Sequence, residues 1–271
     1  MFSGVELELH DLYLLESFQI SYLPGCIPEK DFACVIEHNP EIAVFLEKKH
    51  PPIASFVSRV REENASSVPD NPSRASTDRL LWTIADMLVY SKCPEVYDSL
   101  DFHNWDFGEI TAITSLEGLI VIDSGSGTGR VALEAAEKAL AVYAVEPVTR
   151  LRQFIREKAS LLKMKNLYTT DGFLHCMPFS DSFADVLITS HALGWELERE
   201  LREFERVVRN GGYIIHCPGT AVKDNSGDIH EMLISPEWGY RYEVYSEADG
   251  EKRKYWKKVS SNSCSTCKKE I

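Results

Sequence analysis

The chain has 271 residues, 44% of them hydrophobic, and a formal net charge of −13. This length allows one large domain with attachments or two small domains, and the apolar content excludes wholesale disorder. The acidic balance argues against a nucleic acid partner, because such a chain gains no electrostatic attraction to a phosphate backbone.

The sequence shows no signal for membrane insertion or secretion. No apolar run approaches the roughly 20 residues that cross a bilayer, and the first ten residues lack the charged and apolar regions of a signal peptide. The seven cysteines are an odd, scattered set, best explained as reduced thiols. We therefore expect a cytoplasmic protein with no membrane partner.

The amino-terminal region is predicted to be helical. Asn39-Pro40-Glu41 is a helix start, with a capping side chain, a first-turn proline and an acid at the positive end of the helix dipole. The next helix carries apolar residues at helical spacing: Ile53, Phe56, Val57 and Val60. Residues 62–76 are polar and interrupted by prolines, which is typical of a linker or loop. We predict a helical region with a linker at residues 1–76 and a second domain at residues 77–271, which begins with a helix at Thr77–Tyr90.

A glycine-rich turn lies near the middle of the chain, at Leu119–Arg130, LIVIDSGSGTGR. Its apolar start suits a buried parallel strand that ends in Asp123, and Gly125, Gly127 and Gly129 then alternate with small polar residues before a helix. Glycine permits positive φ and close approach of a ligand to the backbone, and the following helix offers unpaired N–H groups. The third glycine comes one place too early for a dinucleotide fingerprint, which argues against NAD.

Strands and helices alternate after this turn, which predicts a doubly wound, mostly parallel α/β sheet. The second strand ends in Glu146, and the third is followed by Asp171-Gly172. Ser190 and His191 follow the fourth strand, where open α/β sheets bind their ligands. Further strands are predicted at residues 213–217, 240–246 and 254–259. Asp249-Gly250 predicts a hairpin turn between the last two.

Three motifs occur in the order found in one family. The sequence from Asp123 to Gly129 resembles the first motif of class I S-adenosylmethionine (SAM)-dependent methyltransferases, acidic-x-G-x-G-x-G. Met177–Asp185 resembles that family's L-P-F-x-D-x-S-F-D block, shifted by Ala184. Arg209–Gly212 resembles its K-P-G-G turn, with asparagine in place of proline.

The resemblance implies a Rossmann-like sheet with a carboxyl-terminal antiparallel hairpin, and SAM as the cofactor. It implies that Glu146 binds the ribose hydroxyls and that Asp171 lies near the adenine. The residues implied to bind the cofactor are Asp123, Gly125, Ser126, Gly127, Gly129, Glu146, Pro147, Asp171, Gly172 and Ser190.

The sequence does not identify the methyl acceptor. A small molecule is expected, with the amino-terminal helices as a lid over its site and His191 as the candidate general base, because histidine titrates near neutral pH. His216 is a weaker candidate base. A non-catalytic SAM-binding or regulatory protein and an RNA or protein methyltransferase remain alternatives. No metal is expected, because Cys264 and Cys267 alone cannot fill a tetrahedral zinc site.

Overall fold

The computed structural model describes residues 2, 4–69, 71, 73–222, 227–248 and 250–260. The chain folds as two compact units, Met1–Leu100 and Asp101–Ile271, which we call the N-terminal and C-terminal units. The boundary predicted after residue 76 falls inside the N-terminal unit. The reason is that Leu80, Leu81 and Leu88 are buried in the same core as the preceding helices.

The N-terminal unit is helical in its described residues. Its α-helices are α1 Ser17–Ser21, α2 Leu23–Cys26, α3 Glu29–His38, α4 Pro40–Lys49, α5 Ala54–Asn64, α6 Arg74–Thr83, α7 Ala85–Lys92 and α8 Pro94–Asp98. Short 3-10 turns occupy Leu9–Leu14, Pro51–Ile53 and Ala65–Ser67. The predicted start of α4 after Asn39 is present, and the helix expected at Thr77–Tyr90 is divided in two at Ile84.

The C-terminal unit alternates strands with helices. Its strands are β1 Ile120–Ser124, β2 Ala141–Val145, β3 Leu167–Thr170, β4 Ala184–Thr189, β5 Val208–Ala221, β6 Arg241–Glu247 and β7 Gly250–Lys258. Its helices are α9 Gly108–Thr111, α10 Arg130–Ala136, α11 Thr149–Leu161, α12 Leu197–Val207 and α13 Gly227–Ile234, preceded by a 3-10 turn at Asp101–His103.

These seven strands form one sheet in the order β3-β2-β1-β4-β5-β7-β6. The first five are parallel, and β7 pairs antiparallel with both β5 and β6. The predicted fold class, a doubly wound mostly parallel sheet with a carboxyl-terminal hairpin, is therefore confirmed. The hairpin closes at the Glu247–Gly250 pair.

Helices cover both faces of the sheet because alternate strand residues point to opposite sides. Val121 and Ile188 pack on one face with Val131 and Ala135 of α10. On the other face Leu187 packs with the apolar side of α12. The chain passes from β1 outward to β3 and then returns to the other side of β1 as β4. The strand order thus reverses between β1 and β4, and a crevice at the carboxyl ends of these strands is the expected ligand site.

Candidate functional site: a buried acid beside a glycine turn

The turn between β1 and α10 is tied to the end of β2. The N–H groups of Gly125 and Ser126 both donate to Val145 O, at 2.9 and 3.0 Å. The Ser126 hydroxyl donates to Asp123 O at 2.7 Å. Gly125 and Gly129 have φ of 75° and 86°, a left-handed conformation that favours glycine. The turn is therefore a fixed loop with its backbone held at the carboxyl ends of β1 and β2.

Close packing is a second reason for glycine at these positions. A Cβ atom on Gly125 would lie 2.5 Å from the Cβ of Ala192, in the loop after β4. A Cβ on Gly129 would lie 2.8 Å from Ile155 of α11. Side chains at either position would push the turn away from its neighbours. The loop that carries Ser190 and His191 thus packs directly on the glycine turn.

Asp123 is the buried acid at this turn. Its residue is 1% exposed, and its Oδ2 atom has no hydrogen-bond partner among the described residues. Burial raises its pKa to about 7, and hydrogen bonds from Ser126 and Ala132 offset this only in part. A buried oxygen without a partner is costly unless a ligand or water supplies a donor. The residue therefore fits a site for a ligand with a hydrogen-bond donor or a positive charge.

Glu146 binds the turn from the end of β2. Its Oε2 accepts from Gly127 N at 2.9 Å, and its Oε1 accepts from Val148 N at 2.9 Å. Burial raises its pKa to about 7, although both backbone donors favour the ionised form. Each carboxylate oxygen keeps a second lone pair, so Glu146 retains the capacity to accept from a pair of hydroxyls.

Arg152 connects Glu146 to the other predicted adenine-side residues. Its Nη1 donates to the carbonyl oxygens of Glu146 and Pro147, at 2.6 and 2.8 Å, and to Asp171 Oδ1 at 3.1 Å. The Asp171 side chain is 71% exposed, so it borders solvent. Gly172 lies against the end of β2, because a Cβ there would be 3.0 Å from Val145. Arg152 was not predicted; its position one turn into α11 is the signal that could have found it.

His191 stands at the edge of this arrangement. It is exposed, with φ of 55°, and its N–H donates to Pro218 O at 3.3 Å. Its ring meets Phe102 edge-on at 5.3 Å. The loop contains both His191 and Ala192, so it is adjacent to the turn, but the backbone bond of His191 is directed to β5 and its ring contact to the segment before β1. A proton-transfer role for His191 stays a prediction.

His216 lies in the core. It is fully buried, and its Nδ1 lies 2.7 Å from the Thr189 hydroxyl. Burial lowers its pKa to about 3, so the ring is neutral at physiological pH. With no exposed surface it cannot reach an acceptor in this conformation, which argues against even a minor role as base.

Glu200 was not predicted from the sequence. It is 1% exposed, and its carboxylate accepts from the N–H groups of Gly194 and Glu196, at 2.8 and 2.9 Å. These bonds hold the end of the loop that follows β4. The one sequence signal for this role is the place of Glu200 in the first turn of a strongly amphipathic helix.

Metal and membrane features are absent from the described part of the chain. No group of three or more histidine, cysteine, aspartate or glutamate side chains could hold a metal ion there. Cys264 and Cys267 lie outside the described residues. None of the described helices has the length and apolar character needed to cross a membrane.

Comparison with known proteins shows similarity over part of the chain. Residues 122–216 match a family model described as a methyltransferase domain. The chain is 30% identical over 107 residues to YafE of Escherichia coli, which covers 37% of this chain and 52% of YafE. The chain thus spans about half the length of this relative.

One solved structure shares this fold, and a second is similar over a smaller part of the chain. A SAM-dependent methyltransferase from Aquifex aeolicus is 17% identical and aligns over 63% of this chain and 98% of its own, with a TM-score of 0.51. YcgJ from Bacillus subtilis is 20% identical over 40% of this chain and 47% of its own, with a TM-score of 0.39. The match to the methyltransferase domain model lies within the C-terminal unit, and it confirms the predicted resemblance to class I SAM-dependent methyltransferases, which are enzymes.

Proposed function

We propose that this protein transfers the methyl group of SAM to a small-molecule acceptor. The observation that carries the proposal is the buried Asp123 carboxylate, whose Oδ2 lacks a partner in the described structure, beside a turn made of three glycines. SAM brings both an ammonium group and a sulfonium, and either favours a nearby carboxylate. A pyrophosphate would be repelled by the same group, which separates this site from a dinucleotide site.

The proposed cofactor residues are those that the family resemblance implies, and the geometry of the turn supports them. Asp123 faces the amino acid portion, Gly125, Ser126, Gly127 and Gly129 provide the backbone surface, and Glu146 accepts from the ribose hydroxyls. Pro147, Asp171 and Gly172 border the adenine, and Ser190 borders the reacting end. When bound, SAM supplies an electrophilic methyl group and departs as a neutral thioether.

The protein's own contribution to this reaction is alignment and exclusion of water. A methyl displacement needs the acceptor held in line, and a base only where the acceptor must lose a proton. We propose that His191 is the base that accepts this proton. The acidic charge of the chain, −13, supports a small-molecule acceptor over RNA.

Titration calorimetry with SAM, its demethylated product S-adenosylhomocysteine (SAH) and NADH tests the cofactor. Binding of SAM and SAH without NADH supports the proposal. Binding of none by folded protein would withdraw it, and binding of SAM without turnover of any acceptor would favour the regulatory alternative.

A substitution that keeps the backbone tests His191. Asparagine tolerates the left-handed conformation that His191 adopts, so His191→Asn removes the imidazole with little strain. We expect turnover to fall by about 100-fold with unchanged SAM affinity, and the acidic limb of the pH profile to disappear. Unchanged turnover and pH profile would remove His191 from the reaction.

A further inference from the structure

The strand β6, Arg241–Glu247, forms one edge of the sheet. It pairs with β7 on one side and with no described strand on the other. The strand at the opposite edge, β3, has four residues, whereas β6 has seven, without a proline, a glycine or a shift of register. An edge strand of this kind presents unpaired N–H and C=O groups, to which another strand can add.

The register of the hairpin shows which backbone groups of β6 point to the free edge. Glu247 pairs with Gly250 across a two-residue loop, so these residues exchange N–H···O bonds. Hydrogen-bonded pairs recur at every second residue, and the residues between them direct their N–H and C=O groups away from β7. The residues with outward groups are therefore Tyr242, Val244 and Ser246. Their spacing is that of one side of an antiparallel ladder.

The side chains of these outward residues also lie in solvent. Tyr242 is 45% exposed and Val244 is 47% exposed, and Ser246 is exposed as well. Aromatic and β-branched residues are typical of strands whose side chains pack against those of a neighbouring strand. A further strand beside β6 would give Tyr242 and Val244 such neighbours.

The two ends of β6 carry opposite charges. Arg241 begins the strand and Glu247 ends it, and neither forms an ion pair with a described residue. The charge between them, Glu243, is paired with Lys254 at 3.2 Å. The Tyr245 hydroxyl donates to one oxygen of Glu247, Oε1, at 2.6 Å, and leaves the other oxygen available. Among the described residues, the ends of β6 thus keep one cation without an anion and one carboxylate without a cation.

A second copy of β6 is complementary to the first when the two strands run antiparallel about Val244. This register pairs Val244 with itself and Tyr242 with Ser246 of the partner subunit, and each such pair exchanges two N–H···O bonds. It also places Arg241 opposite Glu247 of the partner subunit, in a pair whose side chains lie close together because it has no ladder hydrogen bonds. Opposite charges directly across two strands stabilise their pairing, whereas a parallel arrangement would bring like charges together.

We propose that this protein forms a two-fold symmetric dimer in which the free edges of β6 from two copies pair antiparallel about Val244. The sheets of the two copies then form one continuous sheet, and each ion pair occurs twice because the interface is symmetric. Dimer formation is independent of methyl transfer, so its absence would leave the function proposed above untouched.

Sedimentation equilibrium of the intact protein, over about 1–500 μM, tests this dimer. One strand pair buries less area than a standard interface, so we expect a dissociation constant on the order of 1–100 μM. A wild-type protein that stays monomeric over this range would overturn the proposal.

Substitution of Val244 tests the backbone pairing. Val244→Pro removes an outward N–H and leaves the hydrogen bonds to β7 in place, so it should weaken the dimer by at least about tenfold. The matched control is Val244→Thr, which keeps both the N–H and the β-branched shape and should leave the dimer unchanged. The melting temperature and the circular dichroism spectrum report folding in every variant.

Charge exchange tests the register. Arg241→Glu places like charges across the interface and should weaken the dimer by about tenfold. Addition of Glu247→Arg should restore it, whereas addition of Glu243→Arg should not, because Glu243 does not face Arg241 in this register. Lys138→Glu makes the same change of charge at an exposed residue outside β6 and should have no effect.

Two results with folded variants would contradict this interface. A dimer that survives both Val244→Pro and Arg241→Glu would use another surface of the protein. Rescue of Arg241→Glu by Glu243→Arg, and not by Glu247→Arg, would exclude pairing about Val244.

Discussion

The backbone N–H of Gly127 donates to Glu146 Oε2 at 2.9 Å, which joins the glycine turn to the end of the neighbouring strand. The other oxygen of this carboxylate accepts from Val148 N. One buried side chain therefore holds two loops that come from different strands. Its ionised form is costly to bury, and the two backbone donors are what make it tolerable.

Glu146→Gln tests this connection. A glutamine amide has only one acceptor oxygen, so one of the two backbone N–H groups would face an NH₂ donor. We expect the free energy of unfolding to fall by about 1–3 kcal/mol and SAM affinity to fall by about tenfold or more. Urea unfolding and calorimetry measure the two effects.

The matched control is Glu157→Gln. Its carboxylate forms an exposed pair with Arg150 at 3.1 Å, and such pairs contribute little. Equal losses in the two variants would show that Glu146 has no special role in the turn.

Gly125→Ala tests the contact between the turn and the loop after β4. Gly125 and Gly118 have similar positive φ, 75° and 69°, but a Cβ on Gly118 would meet nothing within 4 Å. Gly118→Ala therefore measures the backbone strain alone, and Gly125→Ala adds the 2.5 Å approach to Ala192. We expect only Gly125→Ala to abolish SAM binding, with both proteins folded at about 25 °C.

Ala192→Gly provides the rescue. Removal of this methyl group clears the space that the side chain introduced by Gly125→Ala would occupy, so the double variant should regain SAM affinity relative to Gly125→Ala. A double variant no better than the single one would mean that the backbone conformation, not the contact, controls binding.

The central sheet could be predicted from the sequence because buried parallel strands are nearly continuous apolar runs. β2 and β3 begin and end where expected, and Asp123 and Glu146 stand at the strand ends that the motif implied. The extension of β5 past Cys217 to Ala221 was not predicted, because a proline and a glycine interrupt its pattern. Helix α13 was missed as well, although Ile229, Met232 and Leu233 have helical spacing.

The parts of the site that depend on tertiary packing could not be predicted from the sequence. Nothing in the order of residues indicates that Ala192 packs on Gly125, since this depends on the path of a loop in which His191 has positive φ. The pairing of Thr220 with Arg253 likewise depends on the register between β5 and β7. The lid role of residues 1–76 and the cofactor contacts of the individual residues remain predictions.

The pH dependence of stability should carry the signature of Asp123. Its pKa is about 7 in the folded protein against an ordinary value of 3.8, so between these values the folded state binds more protons than the unfolded state. Stability therefore decreases as pH rises from about 4 to about 7 and is then constant. Burial also raises the pKa of Glu146 to about 7, so Glu146 likewise makes stability decrease as pH rises toward 7. Buried neutral His216 has the opposite effect, because it costs stability as pH falls below its ordinary value of 6.5.

Asp123→Asn isolates this contribution because it leaves Glu146 and His216 in place. The stability of the wild-type protein relative to the variant should decline by on the order of 2–4 kcal/mol between about pH 4 and pH 7. Urea unfolding of both proteins at half-unit steps of pH measures it. If the free energies of unfolding of the two proteins changed equally with pH, the pKa of Asp123 in the folded protein would be close to its ordinary value.

Glu200 provides a test of loop anchoring that does not touch the proposed cofactor residues. Its buried carboxylate accepts from Gly194 N and Glu196 N, and the same loop packs on the glycine turn through Ala192. Glu200→Gln leaves one of these N–H groups without an acceptor, which should cost about 1–3 kcal/mol of stability. Since the freed loop can leave the turn, SAM affinity should fall in parallel.

A neighbouring glutamate on the same helix separates anchoring from charge. Glu198 is exposed and pairs with Arg202 one turn along α12, so Glu198→Gln removes the same charge without freeing a loop N–H. We expect its stability to stay within about 0.5 kcal/mol of the wild type and its SAM affinity to be unchanged. If Glu200→Gln lost stability but kept full SAM affinity, the loop would be anchored by Glu200 without being needed for the cofactor, and Ala192 would be a packing contact only.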